Sequence, residues 1–135
     1  MKGLYYNIEV AENTTISLLR FYENGYVIYK KIVGNKKDYI ARELKMFSMN
    51  GHIVNGEREY TYCGAFEYND NKISFKIENE IINSSNSWVQ KDVLSFKGSI
   101  INDHELLLKS VSKRTKLETE NSYLKITEQE LLDKL

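Results

Sequence analysis

One stretch of the sequence reads Leu19-Arg20-Phe21-Tyr22-Glu23-Asn24-Gly25-Tyr26-Val27, with apolar residues two apart on both sides of a polar turn. The same pattern recurs at residues 64–75 and 98–108, each time around an Asn/Asp cluster. Alternation with a period of two indicates strands, and a short Asn, Asp or Gly cluster between two alternating runs indicates a tight hairpin. Three copies of this pattern predict an antiparallel β protein.

The first hairpin admits two registers, and the side-chain pattern chooses between them. A two-residue loop at Asn24-Gly25 would pair Phe21 with Ile28, whereas a three-residue loop with Gly25 as a bulge pairs Phe21 with Val27. The second register gives the cleaner apolar face, so it is the one predicted. The residues then expected to face inward are Leu19, Phe21, Val27 and Tyr29, and those expected to face outward are Arg20, Tyr22, Tyr26 and Lys30.

The rest of the chain supplies further strands and two helices. Residues 36–49 change to near-helical spacing and predict one crossover helix. Thr127 opens a capping-box pattern that predicts a short C-terminal helix through Leu131 and Leu132. The predicted strands are Leu4–Val10, Thr15–Tyr22, Tyr26–Val33, Arg58–Tyr68, Lys72–Asn79, the two strands around the 98–108 turn, and Leu117–Ile126.

This number of strands constrains the architecture. About eight strands are too many to lie flat in so short a chain, so the sheet is expected to curl into an antiparallel meander barrel or half-barrel. Gly64 and Gly98 hold the same place in the two later hairpins, where the wall must bend or be overlaid by an aromatic ring. The prediction is a mainly β protein with residues 1–135 as a single domain.

The order of these motifs resembles a family of uncharacterised small bacterial proteins and, more distantly, lipocalin-like β-barrels. The resemblance is carried by Gly3-Leu4-Tyr5-Tyr6, the Arg-Phe-Tyr hairpin, the helix around Asp38–Ala41, and the hairpins at 64–75 and 98–108. Tyr5 stands where lipocalin-like barrels have the Trp of a Gly-x-Trp. The resemblance implies the barrel fold and brings no established activity with it.

Composition sets limits on partners and compartment. The formal net charge is zero, so the basic field that drives nucleic-acid binding is missing, and Lys30-Lys31 and Lys36-Lys37 are interpreted as solvated surface. The apolar runs are far shorter than a membrane span, and no hydrophobic leader follows Met1. A cytoplasmic location is the default, and an exported form with its leader removed stays open.

Motifs that carry chemistry are sparse. Cys63 is the only cysteine, so it is interpreted as a small buried or half-buried strand residue and not as a nucleophile. His52 and His104 have no histidine or cysteine at ligand spacing and are interpreted as surface residues, with no metal and no cofactor expected. The carboxylate pairs Glu57/Glu59 and Glu78/Glu80 are interpreted as solvated strand edges. We therefore expect a protein that is not an enzyme.

The inward aromatic residues are the best candidates for function. They are either a filled core or the lining of a pocket for a small apolar or amphipathic ligand, in which buried tyrosine hydroxyls orient the ligand. Tyr62 and Tyr68 are the first candidates. The full predicted ligand-binding set is Phe21, Tyr29, Tyr62, Phe66, Tyr68, Phe75 and Phe96.

An alternative function places the working surface on the outside of the barrel. Tyrosine and tryptophan anchor many protein interfaces. The outward or loop residues Tyr22, Tyr26, Ile28 and Trp88 would then bind a protein partner or a second copy of the chain.

Overall fold

The computed structural model of the protein describes residues 1–50, 61–82 and 89–135. Eight antiparallel strands follow one another in sequence order and close into a barrel, so the barrel alternative is confirmed over the half-barrel. The strands are β1 (Gly3–Val10), β2 (Thr14–Phe21), β3 (Tyr26–Gly34), β4 (Thr61–Asn69), β5 (Lys72–Ile82), β6 (Val89–Asn102), β7 (Glu105–Ser112) and β8 (Glu118–Ile126). The helices are α1 (Lys37–Asn50), between β3 and β4, and α2 (Glu128–Asp133), after β8.

The barrel is closed by the pairing of its first and last strands. Leu4 lies opposite Ile126, and Tyr6 lies opposite Leu124. Closure removes the unpaired backbone groups that an open sheet would present at its edges. The predicted strand over Arg58–Tyr68 is described from Thr61 onward, and residues 58–60 lie outside the described residues.

The first hairpin has the predicted register. Phe21 pairs with Val27, and Leu19 pairs with Tyr29. Gly25 has a φ of +88°, a conformation that costs glycine no steric penalty. The Asn24 Oδ1 accepts a hydrogen bond from the Tyr26 backbone N–H at 3.1 Å, which fixes the turn. The apolar face predicted from the sequence is therefore the face that lines the interior.

Two glycines mark places where neighbouring strands come very close. A Cβ on Gly98 would collide with the Leu107 carbonyl oxygen, and one on Gly64 would collide with the Lys76 carbonyl oxygen. The neighbouring strands can approach this closely because glycine places no side chain between the backbones. The predicted reasons for these glycines, a bend in the wall or an aromatic overlay, stay predictions.

The barrel interior forms the first of two cores. Phe21 occupies its centre, with ring centroids 5.6 Å from Tyr5, 5.1 Å from Phe66 and 5.6 Å from Phe75, all edge to face. Phe75 stacks on Phe96 at 4.7 Å. These contacts fill the middle of the barrel with rings, since edge-to-face and stacked pairs pack without voids.

The second core lies outside the barrel, between the outer face of β1–β3 and the two helices. Ile40, Leu44 and Phe47 of α1 recur at helical spacing and face the strands, and Leu131 of α2 is completely buried in the same cluster. The strand residues beneath the helices are Leu4, Ile16, Leu18, Ile28, Ile32 and Ile126. The outward face of the first hairpin is therefore a buried surface.

A buried ion pair joins α1 to this face. The Lys30 Nζ lies 2.7 Å from the Glu43 Oε2, with only 7% and 9% of the two side chains exposed. The prediction that Lys30 is solvated is therefore wrong, because the helix covers the outward side of β3. The neighbouring Lys31 points the other way, as strand alternation requires, and is exposed.

The C-terminal helix starts as predicted. Thr127 is the N-cap of α2, and its Oγ1 accepts a hydrogen bond from the Glu130 backbone N–H at 3.2 Å. The Arg20 guanidinium on β2 lies 3.4 Å from the Glu128 carboxylate, which ties the first turn of α2 to the barrel wall. The cap and the ion pair together place Leu131 in the second core.

Candidate functional site

The two ends of the barrel differ in character. The lower end carries the chain start and the turns after β2, β4 and β6, and the upper end carries the turns after β1 and β7. A depression of about 570 Å³ lies at the lower end, but five of its lining residues, namely Glu67, Tyr68, Asn69, Lys72 and Lys97, are exposed. A second lower depression of about 450 Å³ surrounds Met1 and His104. Both are surface features around the rim.

The upper end contains a smaller and more sheltered cavity of about 280 Å³, here called the upper chamber. Strands β3, β4, β6, β7 and β8 and the turn after β7 supply its walls. Its lining residues are Tyr29, Lys31, Tyr62, Asp92, Leu94, Ser110, Ser112, Arg114, Thr115, Leu117 and Thr119. Its volume lies near the lower limit of typical small-molecule sites.

Asp92 organises the wall of the upper chamber. Its carboxylate is 4% exposed and accepts three hydrogen bonds. The Tyr62 hydroxyl donates to Oδ2 at 3.0 Å, while the Ser112 hydroxyl and the Arg114 backbone N–H donate to Oδ1 at 3.0 and 3.3 Å. These bonds satisfy the buried charge and fix the Tyr62 ring and the turn after β7 relative to each other.

Burial and the Asp92 charge both act on Tyr62. Burial raises the pKa of the Tyr62 phenol, and the adjacent carboxylate raises that pKa further because it disfavours a second negative charge. The hydroxyl therefore stays protonated and serves as a hydrogen-bond donor. A phenolate that could act as a base or a nucleophile is disfavoured at this position.

Tyr29, which lines the upper chamber, belongs to a cluster of hydroxyl groups with Ser17 and Tyr123. Burial raises the pKa of both Tyr29 and Tyr123, and hydrogen bonding with the buried Ser17 opposes part of that rise. Tyr29 also contacts the Phe96 ring at 5.7 Å and the Tyr62 ring at 5.8 Å. Tyr29 therefore belongs both to the chamber lining and to the buried interior cluster.

Two cationic side chains lie at the opening of the upper chamber, here called its mouth. Lys31 projects from the inward side of β3, and Arg114 lies in the turn after β7. Both residues are exposed, and neither side chain has an ion-pair or hydrogen-bond partner among the side chains that the structure describes, which exclude those of residues 46, 48–50, 61, 79–82 and 89–91. With Asp92, the chamber is lined by two cations and one carboxylate, a formal charge of +1.

The structure divides the predicted ligand-binding set into three groups. Tyr29 and Tyr62 line the upper chamber. Phe21, Phe66, Phe75 and Phe96 belong to the buried interior cluster and pack against one another or against other rings. Tyr68 lies at the lower end and is 54% exposed, with its ring stacked on Phe66 at 6.2 Å. Tyr62 and Tyr68, the two first candidates, therefore belong to opposite ends.

The residues predicted for an outer binding surface are largely covered. Ile28 is fully buried beneath the helices, and Tyr22 and Tyr26 are half-buried against the second core. Trp88 lies outside the described residues. The three described side chains do not form an exposed patch, and the interaction function stays a prediction.

Sequence reasoning missed most of the upper chamber. Asp92 lies two residues before Leu94 and four before Phe96, so strand alternation puts all three on one face. Ser112 lies four residues after Leu108 and six after Leu106 along β7, so alternation puts these three on one face as well. A polar residue at an inward position near a strand end was the available signal, because a buried polar group requires a partner.

The other chemical candidates lie apart from the chamber. Cys63 is half-buried in β4, as predicted, and His104 is exposed in the turn after β6. His52, Glu57 and Glu59 lie outside the described residues. Within the part of the chain that the structure describes, no cluster of three or more His, Cys, Asp or Glu side chains could hold a metal ion. The described helices include none long and apolar enough to cross a membrane.

Comparison of the chain with protein-family models, with curated proteins and with solved structures finds no match. The fold and the geometry of the upper chamber are therefore the grounds on which function is argued.

Proposed function

We propose that this protein is a non-enzymatic binding protein that holds a small amphipathic molecule in the upper chamber. The observation that carries the proposal is the contrast inside the barrel. The centre is filled by rings around Phe21, whereas the upper end keeps a cavity of about 280 Å³ with apolar and polar walls. A few fixed polar groups in a mostly apolar pocket are typical of small-molecule sites.

The arrangement of the walls supports an amphipathic ligand. Leu94, Leu117 and the Tyr29 ring offer apolar surface, while Ser110 and Thr119 offer hydroxyl groups at 2.6 Å from each other. The Asp92 hydrogen bonds fix Tyr62, Ser112 and the Arg114 backbone before any ligand arrives, which lowers the entropy cost of binding. A cavity of this size holds about nine non-hydrogen atoms at the roughly 30 Å³ that each occupies in liquid water.

The electrostatics support binding without catalysis. The raised pKa of Tyr62 keeps its hydroxyl protonated, and the carboxylate of Asp92 already accepts three hydrogen bonds. A general base needs a free lone pair within reach of a substrate proton. Three of the roughly four lone-pair sites of Asp92 are used in this way, so its carboxylate is mainly a structural acceptor.

Native mass spectrometry of the purified protein tests the proposal. A retained molecule of roughly 100 to 200 Da, the mass expected for about nine non-hydrogen atoms, is predicted to leave on denaturation. Calorimetric titration with 1-octanol covers the case of a ligand lost in purification. The proposal predicts saturable binding with a stoichiometry of one.

A pair of matched variants locates the site. Ser110→Phe places a ring in the chamber, whereas Val111→Phe places the same ring on the outward side of the same strand. The first variant should lose both the retained molecule and octanol binding, and the second should keep both. Equal binding by the two variants would place the ligand elsewhere, and an absence of octanol binding by the wild type would overturn the proposal.

A further inference from the structure

We infer that the upper chamber selects a molecule whose polar head is a carboxylate or another small oxyanion, with Lys31 and Arg114 as the groups that bind it. The inference rests on the proposed function and adds the chemistry of the head group. The Asp92 acceptors of the chamber already receive hydrogen bonds within the protein, whereas the donors of Lys31 and Arg114 are left for a ligand.

The acceptors of the chamber are largely used. A carboxylate has about four lone-pair sites, and Asp92 already receives hydrogen bonds from Tyr62, Ser112 and the Arg114 backbone. The Ser112 Oγ in turn accepts from the Thr115 backbone N–H at 3.2 Å. A cationic head would have to displace these internal donors and leave them unpaired in a buried wall, which is costly.

The donors at the mouth are not used. A lysine ammonium carries three N–H donors and an arginine guanidinium carries five. The side chains of Lys31 and Arg114 donate none of these hydrogen bonds to the side chains that the structure describes. They stand on different elements, β3 and the turn after β7, so an oxyanion between them could receive hydrogen bonds from two sides. Charge-assisted bonds of this kind are about twice as strong as neutral ones.

The other charges near the mouth leave the chamber cationic. Glu9 lies one residue before the end of β1, on the inward side, and adds to the raised pKa of Tyr29 and Tyr123, but it does not line the cavity. Asp92 supplies the single negative charge of the lining against the two cations. The net field inside the chamber therefore favours a negative head group.

The apolar part of the ligand fits the rest of the lining. Leu94 and Leu117 lie on β6 and just before β8, and the Tyr29 and Tyr62 rings complete the apolar surface. The space of about 280 Å³ accommodates about nine non-hydrogen atoms, which matches a chain of about eight carbons. Octanoate, 1-octanol and octylammonium each contain eight carbons and differ in the head group, which is an anionic carboxylate, a neutral hydroxyl and a cationic ammonium group.

Calorimetric titration of these three probes tests the inference at physiological ionic strength, where long-range attraction is screened. Octanoate is expected to bind about tenfold more tightly than octanol, because its carboxylate forms one or two charge-assisted hydrogen bonds. Solvent exposure of the two cations weakens these bonds and limits the gain. Octylammonium is expected to bind more weakly than octanol. The Lys31→Gln/Arg114→Gln double variant should bring the octanoate-to-octanol preference close to one.

A control variant distinguishes binding of the head group at Lys31 and Arg114 from a general effect of the positive charge of the protein. Lys76→Gln/Lys113→Gln removes the same charge from exposed residues outside the chamber lining, and one of them lies next to Arg114. This control should keep the tenfold preference. Equal binding of the three probes, or tightest binding of octylammonium, would overturn the head-group inference while leaving the proposed function standing. Failure of all three probes to bind would overturn both.

Discussion

The ion pair between Lys30 and Glu43 predicts a specific pattern of stability in three variants. Both side chains are more than nine-tenths buried and their charged atoms lie 2.7 Å apart. Removing one partner leaves the other charge buried without compensation, which costs about 3–5 kcal/mol. Replacing both partners with apolar residues of similar volume removes both charges and is often neutral or stabilising.

The cycle consists of Lys30→Met, Glu43→Met and the double variant, measured by urea unfolding with far-UV circular dichroism. A loss of about 4 kcal/mol, divided by a slope of about 2 kcal/mol per molar, lowers the midpoint of each single variant by about 2 M. The double variant should unfold within about 0.5 M of the wild type, which corresponds to about 1 kcal/mol. The coupling between the two residues is then several kcal/mol.

A solvated ion pair serves as the control. Lys2 and Glu23 lie 3.1 Å apart, but their side chains are 69% and 74% exposed. Glu23→Gln should leave the midpoint unchanged, because pairs of this kind contribute little. Two results would refute the packing of α1 against β3. In one, the single variants at Lys30 and Glu43 lose as little stability as the control; in the other, the double variant loses the sum of the two single losses.

Three further predictions concern the wall, the C-terminal helix and the tyrosines. Gly98→Ala should lower the free energy of unfolding by about 1–3 kcal/mol or more, because the new Cβ would meet the Leu107 carbonyl oxygen. The neighbouring Ser99→Ala should lower it little, and the urea midpoints of the two variants test the difference. Thr127→Ala should cost about 1 kcal/mol and lower Tm by about 4 °C, whereas Thr127→Ser keeps the hydroxyl that caps α2 and should keep Tm. Within the part of the chain that the structure describes, five tyrosines have a raised pKa in the folded state, and for Tyr26 the pKa rises to about 12. They are Tyr5, Tyr26, Tyr29, Tyr62 and Tyr123. Their contribution to the free energy of unfolding is therefore fully present below pH 10, the ordinary tyrosine pKa. It declines as the pH rises from 10 through the folded-state pKa values, because the tyrosines of the unfolded chain lose their protons first. Urea midpoints should fall across that pH range, and a flat profile would contradict the burial of these phenols.

The interior face was predictable because each strand carries its own pattern. The pairing of Phe21 with Val27 followed from comparing two registers for a single turn. The alternation of apolar residues and the turn chemistry of Gly25 are local properties, and both point to the same register. Local signals that agree with one another are the ones that a single sequence expresses most clearly.

The second core was not predicted, because it depends on where the helices pack. Residues 16, 18, 28 and 32 are apolar on the side assigned to solvent. Apolar residues on both faces of β2 and β3 were the signal that something covers the outside of this hairpin. The same packing explains why Lys30 is buried although its sequence neighbours suggest a solvated run.

The upper chamber was predicted in part, through Tyr29 and Tyr62. Alternation could place the aromatic residues on the inward face, but it could not say which rings would meet. Phe21, Phe75 and Phe96 meet in the centre and fill it, whereas Asp92 holds Tyr62 at the upper end. Long-range contacts between β4, β6 and β7 decide that difference, and they become visible only once the barrel is closed.

The location of the bound molecule is the central claim, and NMR of methyl-labelled protein tests it most directly. Titration with 1-octanol should produce saturable shifts at the Leu94 and Leu117 methyl groups, which line the upper chamber, and leave those of Leu106 and Leu108 in the filled interior nearly unchanged. The account would be contradicted by shifts centred on Ile73, which lines the larger depression at the lower end. It would also be contradicted if none of the Leu94, Leu117 and Ile73 methyl groups showed a saturable shift.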